Sequence, residues 1–325
     1  MTANIKETQD IITIDTAYLG LDEFAAAYLI AHRGRGVFVD NNTVHCVPRL
    51  LNAASEAGIS QSRIDYIIVT HVHLDHAGGT QALAAACPRA TVICHPRAQR
   101  HIVDPSRLVE SAKHVYGERL FAELYGEILP VEAERVRAVD DGERLDWNGR
   151  LLRFLHTRGH AKHHMVIHDP VSSSVFSGDA FGLAYPGLCR LSKIDTPFIF
   201  PSSSPTDFEP EEALAAIDLI EGLRPDRVFP THFGAVTKIR EAADEMRRTL
   251  RAFGALLKRA QEWQETGPAL DKRCSKELNK IFEEMLDRHG IQRDVLEGFL
   301  KMDLSLNADG IAFVAERARR QSVSP

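Results

Sequence analysis

The sequence predicts an α/β fold: a layered domain of alternating strands and helices over residues 1–236, followed by an all-helical extension over residues 237–325. Three observations lead there. Short runs rich in β-branched and aromatic residues, bounded by Gly, Pro, Asp or Asn, recur through the first two thirds of the chain. Helical patterns lie between them. After Gly234 strand-like alternation stops, and apolar residues recur at three- and four-residue spacing among charged ones.

In chain order, strands are expected at 11–15, 26–30, 36–40, 66–70, 91–94, 151–155, 165–168, 174–177 and 227–230. Helices are expected at 47–57, 79–86, 105–125 and 210–222. The last has a defined start, with Thr206 or Asp207 as cap and Pro210, Glu211 and Glu212 in the first turn, where a fixed φ and negative charge suit a helix N-terminus. In the turn Asp40-Asn41-Asn42-Thr43, Asn42 is the residue best able to adopt a left-handed conformation. In the C-terminal part the stripes are Met246, Leu250, Phe253, Leu257; then Leu278, Ile281, Phe282, Met285; then Val295, Phe299, Leu300, Met302. Breaks at Gly267-Pro268, Gly290 and 303–307 divide this part into four expected helices, whose apolar faces suit internal packing, a lid or a dimer surface.

The 325 residues are 44% hydrophobic, enough for one large core and an appendage. Thirty-nine basic against 45 acidic residues give a net charge of −6, which offers no general attraction for nucleic acid or an anionic membrane. The five cysteines, Cys46, Cys87, Cys94, Cys189 and Cys274, are scattered and form no Cys-x-x-Cys pair, so a reducing compartment is expected. Met1 to Asp10 lack the basic start and apolar run of a signal peptide, and no stretch of membrane-spanning length is apolar throughout; the expectation is a cytoplasmic protein.

The chemistry concentrates at Thr70-His71-Val72-His73-Leu74-Asp75-His76. The apolar run 64–70 reads as a buried strand, so these side chains leave its end on a loop. On an extended exit His71 and His73 face one way and can share one ion, while Asp75 and His76 turn off to hold a neighbouring one. Gly78 and Gly79 supply small residues where a helix must begin close to the ligands. Further ligand-type residues follow at His160, Asp179 and His232. His-x-His-x-Asp-His after a buried strand, with three downstream partners, is a strong metal signal, whereas His-x-His alone would be weak.

On these residues the chain resembles the metallo-β-lactamase superfamily. His71, His73, Asp75 and His76 match its His-x-His-x-Asp-His motif. His160 in Thr157-Arg-Gly-His160 matches its Thr-Pro-Gly-His, with Arg158 in place of proline. Asp179 in Phe176-Ser-Gly-Asp179 and His232 in Pro230-Thr-His232 match the later ligands. The resemblance spans roughly residues 10–236. It implies a four-layer αβ/βα sandwich and two divalent metal ions, one held by His71, His73 and His160, the other by Asp75, His76 and His232, with Asp179 bridging. It also implies a shared hydroxide as nucleophile, oriented by Asp75 as a catalytic residue, with His164 supporting the ligands by hydrogen bonding. Imidazole with carboxylate suits Zn, Fe and Mn, of which zinc is the first expectation.

The segment 180–207 carries Phe181, Tyr185, Phe198 and Phe200 without a helical period, and its aromatics would suit an apolar acyl or aryl group of a small-molecule substrate or would pin the loop to the C-terminal helices. Within the family, His73 stands where flavodiiron proteins carry Glu, and the lactonase tyrosine position, three residues after Asp179, is Gly182. Joining this fold to C-terminal helices resembles glyoxalase II and the quinolone-signal response proteins. The resulting expectation is a dinuclear hydrolase of a carboxylic ester or thioester. A phosphodiesterase, a lactonase or a regulatory protein with a mainly structural metal site stay open beside it.

Overall fold

The computed structural model describes residues 6–8, 10–203 and 207–323. The chain forms two compact units. The first comprises Met1–His156, His163–Gly178 and Pro225–Ala235; the second comprises Thr157–Lys162, Asp179–Arg224 and Val236–Pro325. The chain thus enters the second unit for the last time next to the expected boundary at 236, but two earlier segments belong to that unit as well.

The first unit carries two sheets. One has the order β1 (Lys6–Thr8), β2 (Ile11–Asp15), β3 (Ala26–His32), β4 (Arg35–Val39), β5 (Ile64–Ile68), β6 (Thr91–Cys94), β7 (Val136–Ala138), antiparallel through β4 and parallel from β4 to β7. The other holds β8 (Arg144–Trp147), β9 (Arg150–Thr157), β10 (His164–Asp169), β11 (Ser174–Gly178) and β12 (Arg227–Pro230), with β11 and β12 parallel. Among the described residues this unit also has six α-helices: α1 (Val47–Glu56), α2 (Leu74–Ala77), α3 (Thr80–Ala86), α4 (Pro96–Val103), α5 (Ser106–Tyr116) and α6 (Glu118–Tyr125).

The period of two along each strand explains why the runs look uniformly apolar. Ile12, Leu29, Phe38 and Ile67 pack with Leu50 and Ala53 of α1 and Leu83 of α3. Their neighbours Ile11, Tyr28, Val37, Val39 and Ile68 point the other way and meet Leu152, Phe154, Met165, Phe176 and Phe229 of the second sheet. Both faces of the first sheet are therefore buried. The expected strands 91–94 and 227–230 and helix 210–222 are found with the same bounds. The short strands β1, β7 and β8 were not expected, and the helix expected over 105–125 is split by Gly117 at φ +75°.

The second unit contains α7 (Pro186–Leu191), α8 (Pro210–Gly222), α9 (Ile239–Glu262), α10 (Pro268–His289) and α11 (Lys301–Val323). Thr206, one expected cap of α8, lies outside the described residues; Glu209 occupies the cap position and makes no side-chain capping bond. Among the described residues the expected four C-terminal helices are three, together with a 3₁₀ turn at Arg293–Leu296. Gly267 and Gly290 do break the chain, but 303–307 runs inside α11, because Tyr185 Oη donates to Asp303 Oδ1 at 3.0 Å and Ser203 N donates to Asn307 Oδ1 at 2.6 Å, satisfying the polar groups that suggested a loop. The α9 stripe Met246, Leu250, Phe253, Leu257 is buried, whereas Phe299 and Met302 are exposed. Among the described residues no helix is long and apolar enough to cross a membrane, and all five cysteines are free.

Candidate metal centre

Within the first unit the ligand-type residues gather at strand ends. β4 and β5 run parallel, so Asp40 and the Thr70–His76 loop leave the sheet at one edge, and Asp40 N donates to Ile68 O at 2.8 Å. His71 is buried, its Nε2 2.9 Å from His73 Nδ1, and its ring lies 4.0 Å from that of His76 and 4.9 Å from that of His164, centroid to centroid. Asp75, His76 and His232 offer ligand atoms all within 4.8 Å of one another: Asp75 Oδ2 is 3.3 Å from His232 Nε2 and 3.8 Å from His76 Nε2. His163 lies beside this loop, its ring stacked at 6.1 Å on His71.

The other nitrogen of each imidazole is fixed from behind. His76 Nδ1 faces Asp40 Oδ2 at 2.9 Å, and His232 Nδ1 faces the carbonyl of Phe24 at 3.0 Å. Those partners place the proton on Nδ1 and leave a lone pair on each Nε2, the tautomer a metal ligand needs. Two neutral imidazoles and a carboxylate, converging and oriented in this way, fit a divalent cation of the Zn, Fe or Mn type.

Asp40 is the buried partner of this cluster that sequence reasoning missed. It is fully buried and accepts from Thr70 N at 2.8 Å, Thr70 Oγ1 at 2.9 Å and Thr231 Oγ1 at 2.7 Å as well as facing His76. A carboxylate closing a buried strand was a usable signal, but its turn was read only for conformation. That part holds, since Asn42 has φ +55°, and its Nδ2 donates to Asp75 O at 2.8 Å. The two glycines behind His76 answer the same contact. A Cβ on Gly78 would lie 3.3 Å from Asn42 O, and one on Gly79 2.8 Å from Thr43 O and 3.1 Å from Asn41 O, so the ligand loop seats closely against the 40–43 turn because no side chain stands there.

Within the second unit, His160 lies in the segment leaving β9 and Asp179 directly follows β11. Both are nearly buried, His160 Nε2 is 3.5 Å from Asp179 Oδ2, and His160 Nδ1 is 3.3 Å from Ser202 O. Gly159 shapes this segment. Its φ is +106°, and a Cβ there would stand 2.3 Å from Ala213 N in the first turn of α8. Phe181, Tyr185, Phe198 and Phe200 are fully buried: Phe200 packs edge-on against Phe282, Phe198 against His289 and Tyr185 against Phe299. Phe198 and Phe200 pin the segment to α10, Tyr185 ties it to Phe299 and to Asp303 of α11, and none of the four is in the lining of the depression that contains His160 and Asp179.

The two sheets, the helical C-terminal region and the histidine-aspartate cluster define a metal-binding α/β protein. Residues 22–232 match the metallo-beta-lactamase superfamily model, and the chain belongs to that superfamily, whose members are typically metal-dependent hydrolases. It is 29% identical over 150 residues to the metallo-beta-lactamase fold-containing protein ST1585 of Sulfurisphaera tokodaii, covering 42% of this chain and 56% of that protein. It is 26% identical over 152 residues to the hydroxyacylglutathione hydrolase of Aeromonas hydrophila, covering 47% and 44%. The chain thus spans about half the length of the curated relatives it matches. The crystal structure of ST1585 from Sulfolobus tokodaii shares the fold, with a TM-score of 0.63 at 19% identity over 94% of this chain and 99% of that one.

Proposed function

We propose that this protein hydrolyses a carboxylic ester or thioester of a small molecule with two divalent metal ions, zinc first among them. The observation that carries the reading is the Asp75, His76, His232 set with both imidazoles oriented through Nδ1. Following the superfamily pattern, His71, His73 and His160 would hold one ion, Asp75, His76 and His232 the other, and Asp179 would bridge. When bound, such a pair lowers the pKa of a water between the ions and polarises the oxygen of the bond under attack. The protein's own groups do the rest. Asp40 and the Phe24 carbonyl hold the imidazoles against rotation, and His164, buried beside His71, restricts that ring. Asp75, whose side chain keeps 28% of its exposure, can accept a hydrogen bond from the attacking water and so aim it. The relative named hydroxyacylglutathione hydrolase acts, by its name, on an acyl-sulfur bond, which supports the thioester reading.

The test is metal content per chain by elemental mass spectrometry on protein prepared without added metal or chelator, together with turnover of a simple acyl ester and an acyl thioester. About two ions per chain, largely lost in Asp179→Ala, with turnover abolished in Asp75→Ala, is the expected result. One ion or none, unchanged in Asp179→Ala, would refute the dinuclear reading and turn attention to a regulatory role.

A further inference from the structure

We propose that Arg158 recognises a carboxylate on the substrate, so that the acyl compound processed here is an anionic one; this rests on the hydrolase reading above. Arg158, His160 and Asp179 line one shallow, open depression in the second unit, about 250 Å³ with the solvent space above it, whose apolar side includes Ala213, Met246 and Leu250. The guanidinium is the cation of that lining, and 52% of its side chain remains exposed. Its backbone is not free to move away. Gly159, at φ +106°, presses against Ala213, and Glu209 N donates to Gly159 O at 2.9 Å, which anchors the segment on α8.

A plain structural role for Arg158 would be to tie the segment to α8 through Glu209 and Glu212. The distances speak against that as its main use: the closest approaches are 3.7 Å to Glu209 Oε2 and 3.8 Å to Glu212 Oε1, ion-pair range but beyond hydrogen bonding. Exposed pairs of this kind add little to stability. They hold the guanidinium in place while its planar fork of N–H donors stays available to a carboxylate that can engage it bidentately. The same two acids repel a doubly charged phosphate more strongly than a singly charged carboxylate, which favours the latter. Behind it, Met246 and Leu250, both buried, make the floor of the depression apolar, which suits hydrocarbon rather than a second charge.

The experiment compares two thioesters of equal chain length, S-butyryl- and S-succinyl-N-acetylcysteamine, on the metal-loaded protein and on Arg158→Gln and Arg158→Lys. Arg158→Gln should raise KM for the succinyl compound by roughly tenfold or more, leave its kcat within about twofold and leave the butyryl compound unchanged, as expected for loss of a charge-assisted bond made equally in ground and transition states. Arg158→Lys should recover part of the affinity, since it keeps the charge and loses the fork. Equal changes for both thioesters, or for neither, would overturn the proposal. Thermal stabilisation by free succinate is read in parallel. If the wild type turns over neither thioester nor the simple acyl ester, the hydrolase reading fails, and Arg158 is judged on this measurement alone. A succinate shift absent in Arg158→Gln and larger than that given by inorganic phosphate supports carboxylate recognition, whereas an equal shift in both proteins, no shift in either, or a larger one with phosphate overturns it.

Discussion

Replacing Asp40 with Asn separates the charge of this residue from its shape. Four groups point at the carboxylate: Thr70 N on Oδ1, and Thr70 Oγ1, Thr231 Oγ1 and His76 Nδ1 on Oδ2. The backbone at φ +55° tolerates Asn well, so the substitution should not strain the turn. An amide, however, fits neither way round. With its NH₂ in place of Oδ1 it opposes the Thr70 N–H; in place of Oδ2 it opposes His76 Nδ1–H. The threonine hydroxyls can rotate to accept, but the other two groups cannot, unless His76 moves its proton to Nε2 and spoils the ligand. Losing a bond to a charged acceptor, about 1.5–3 kcal/mol, and leaving a buried donor unmet, about 1–3 kcal/mol, together predict a loss of about 2.5–6 kcal/mol. Metal affinity should fall by about 10- to 100-fold. Urea unfolding of metal-free protein, with unchanged slope, gives the first quantity, and competition with a chromophoric chelator gives the second. An Asp40→Asn protein within about 0.5 kcal/mol of wild type and with unaltered metal affinity would refute the reasoning. Reduced stability with full affinity would leave Asp40 an anchor of the loop and no more.

Three further outcomes follow from the same structure. Gly79→Ala should cost about 2 kcal/mol or more although φ is −86°, because the added carbon would lie 2.8 Å from Thr43 O; a thermal melt as stable as wild type would show the loop to be looser than drawn. Arg150→Ala should cost about 3–5 kcal/mol by leaving buried Asp169 without its guanidinium, and Arg150→Met distinctly less if hydrocarbon packing can replace part of it, both read from urea midpoints. Burial, aided by His156, His163 and Arg97, pushes the His95 imidazole down to about 4, so the folded protein keeps it neutral while the unfolded chain takes up a proton near 6.5. Its contribution is therefore complete above pH 6.5 and is lost as the pH falls toward 4, up to about 3 kcal/mol. His95 Nδ1 accepts from Arg97 N at the start of α4, and His95→Asn keeps such a cap without the titration. The stability difference between pH 7 and pH 5 should shrink in that variant, and an undiminished difference would count against the assignment.

What the sequence determined by itself was much of what short-range physics controls, although the break at Gly117 and the short strands β1, β7 and β8 escaped it. Strand positions followed from β-branched runs, α8 from Pro210 with Glu211 and Glu212, and the breaks at Gly267 and Gly290 from residues that tolerate positive φ. The His71–His76 cluster was legible because its ligands lie a few residues apart on one strand exit, where spacing alone fixes their directions. Tertiary structure decided the rest, for one physical reason: what a side chain does depends on which distant group the fold brings to it. Asp40 became the partner of His76 only because β4 and β5 pair, and Thr231, 191 residues away, and Phe24, 208 residues from His232, could not be found by any local pattern. Phe181, Tyr185, Phe198 and Phe200 carry the same apolar surface whether they line a pocket or fill a core, and the helices α10 and α11 made them core. Asp303 and Asn307 read as a loop because polar groups in a helix must find partners, and Tyr185 and Ser203, contributed from more than a hundred residues earlier, supplied them.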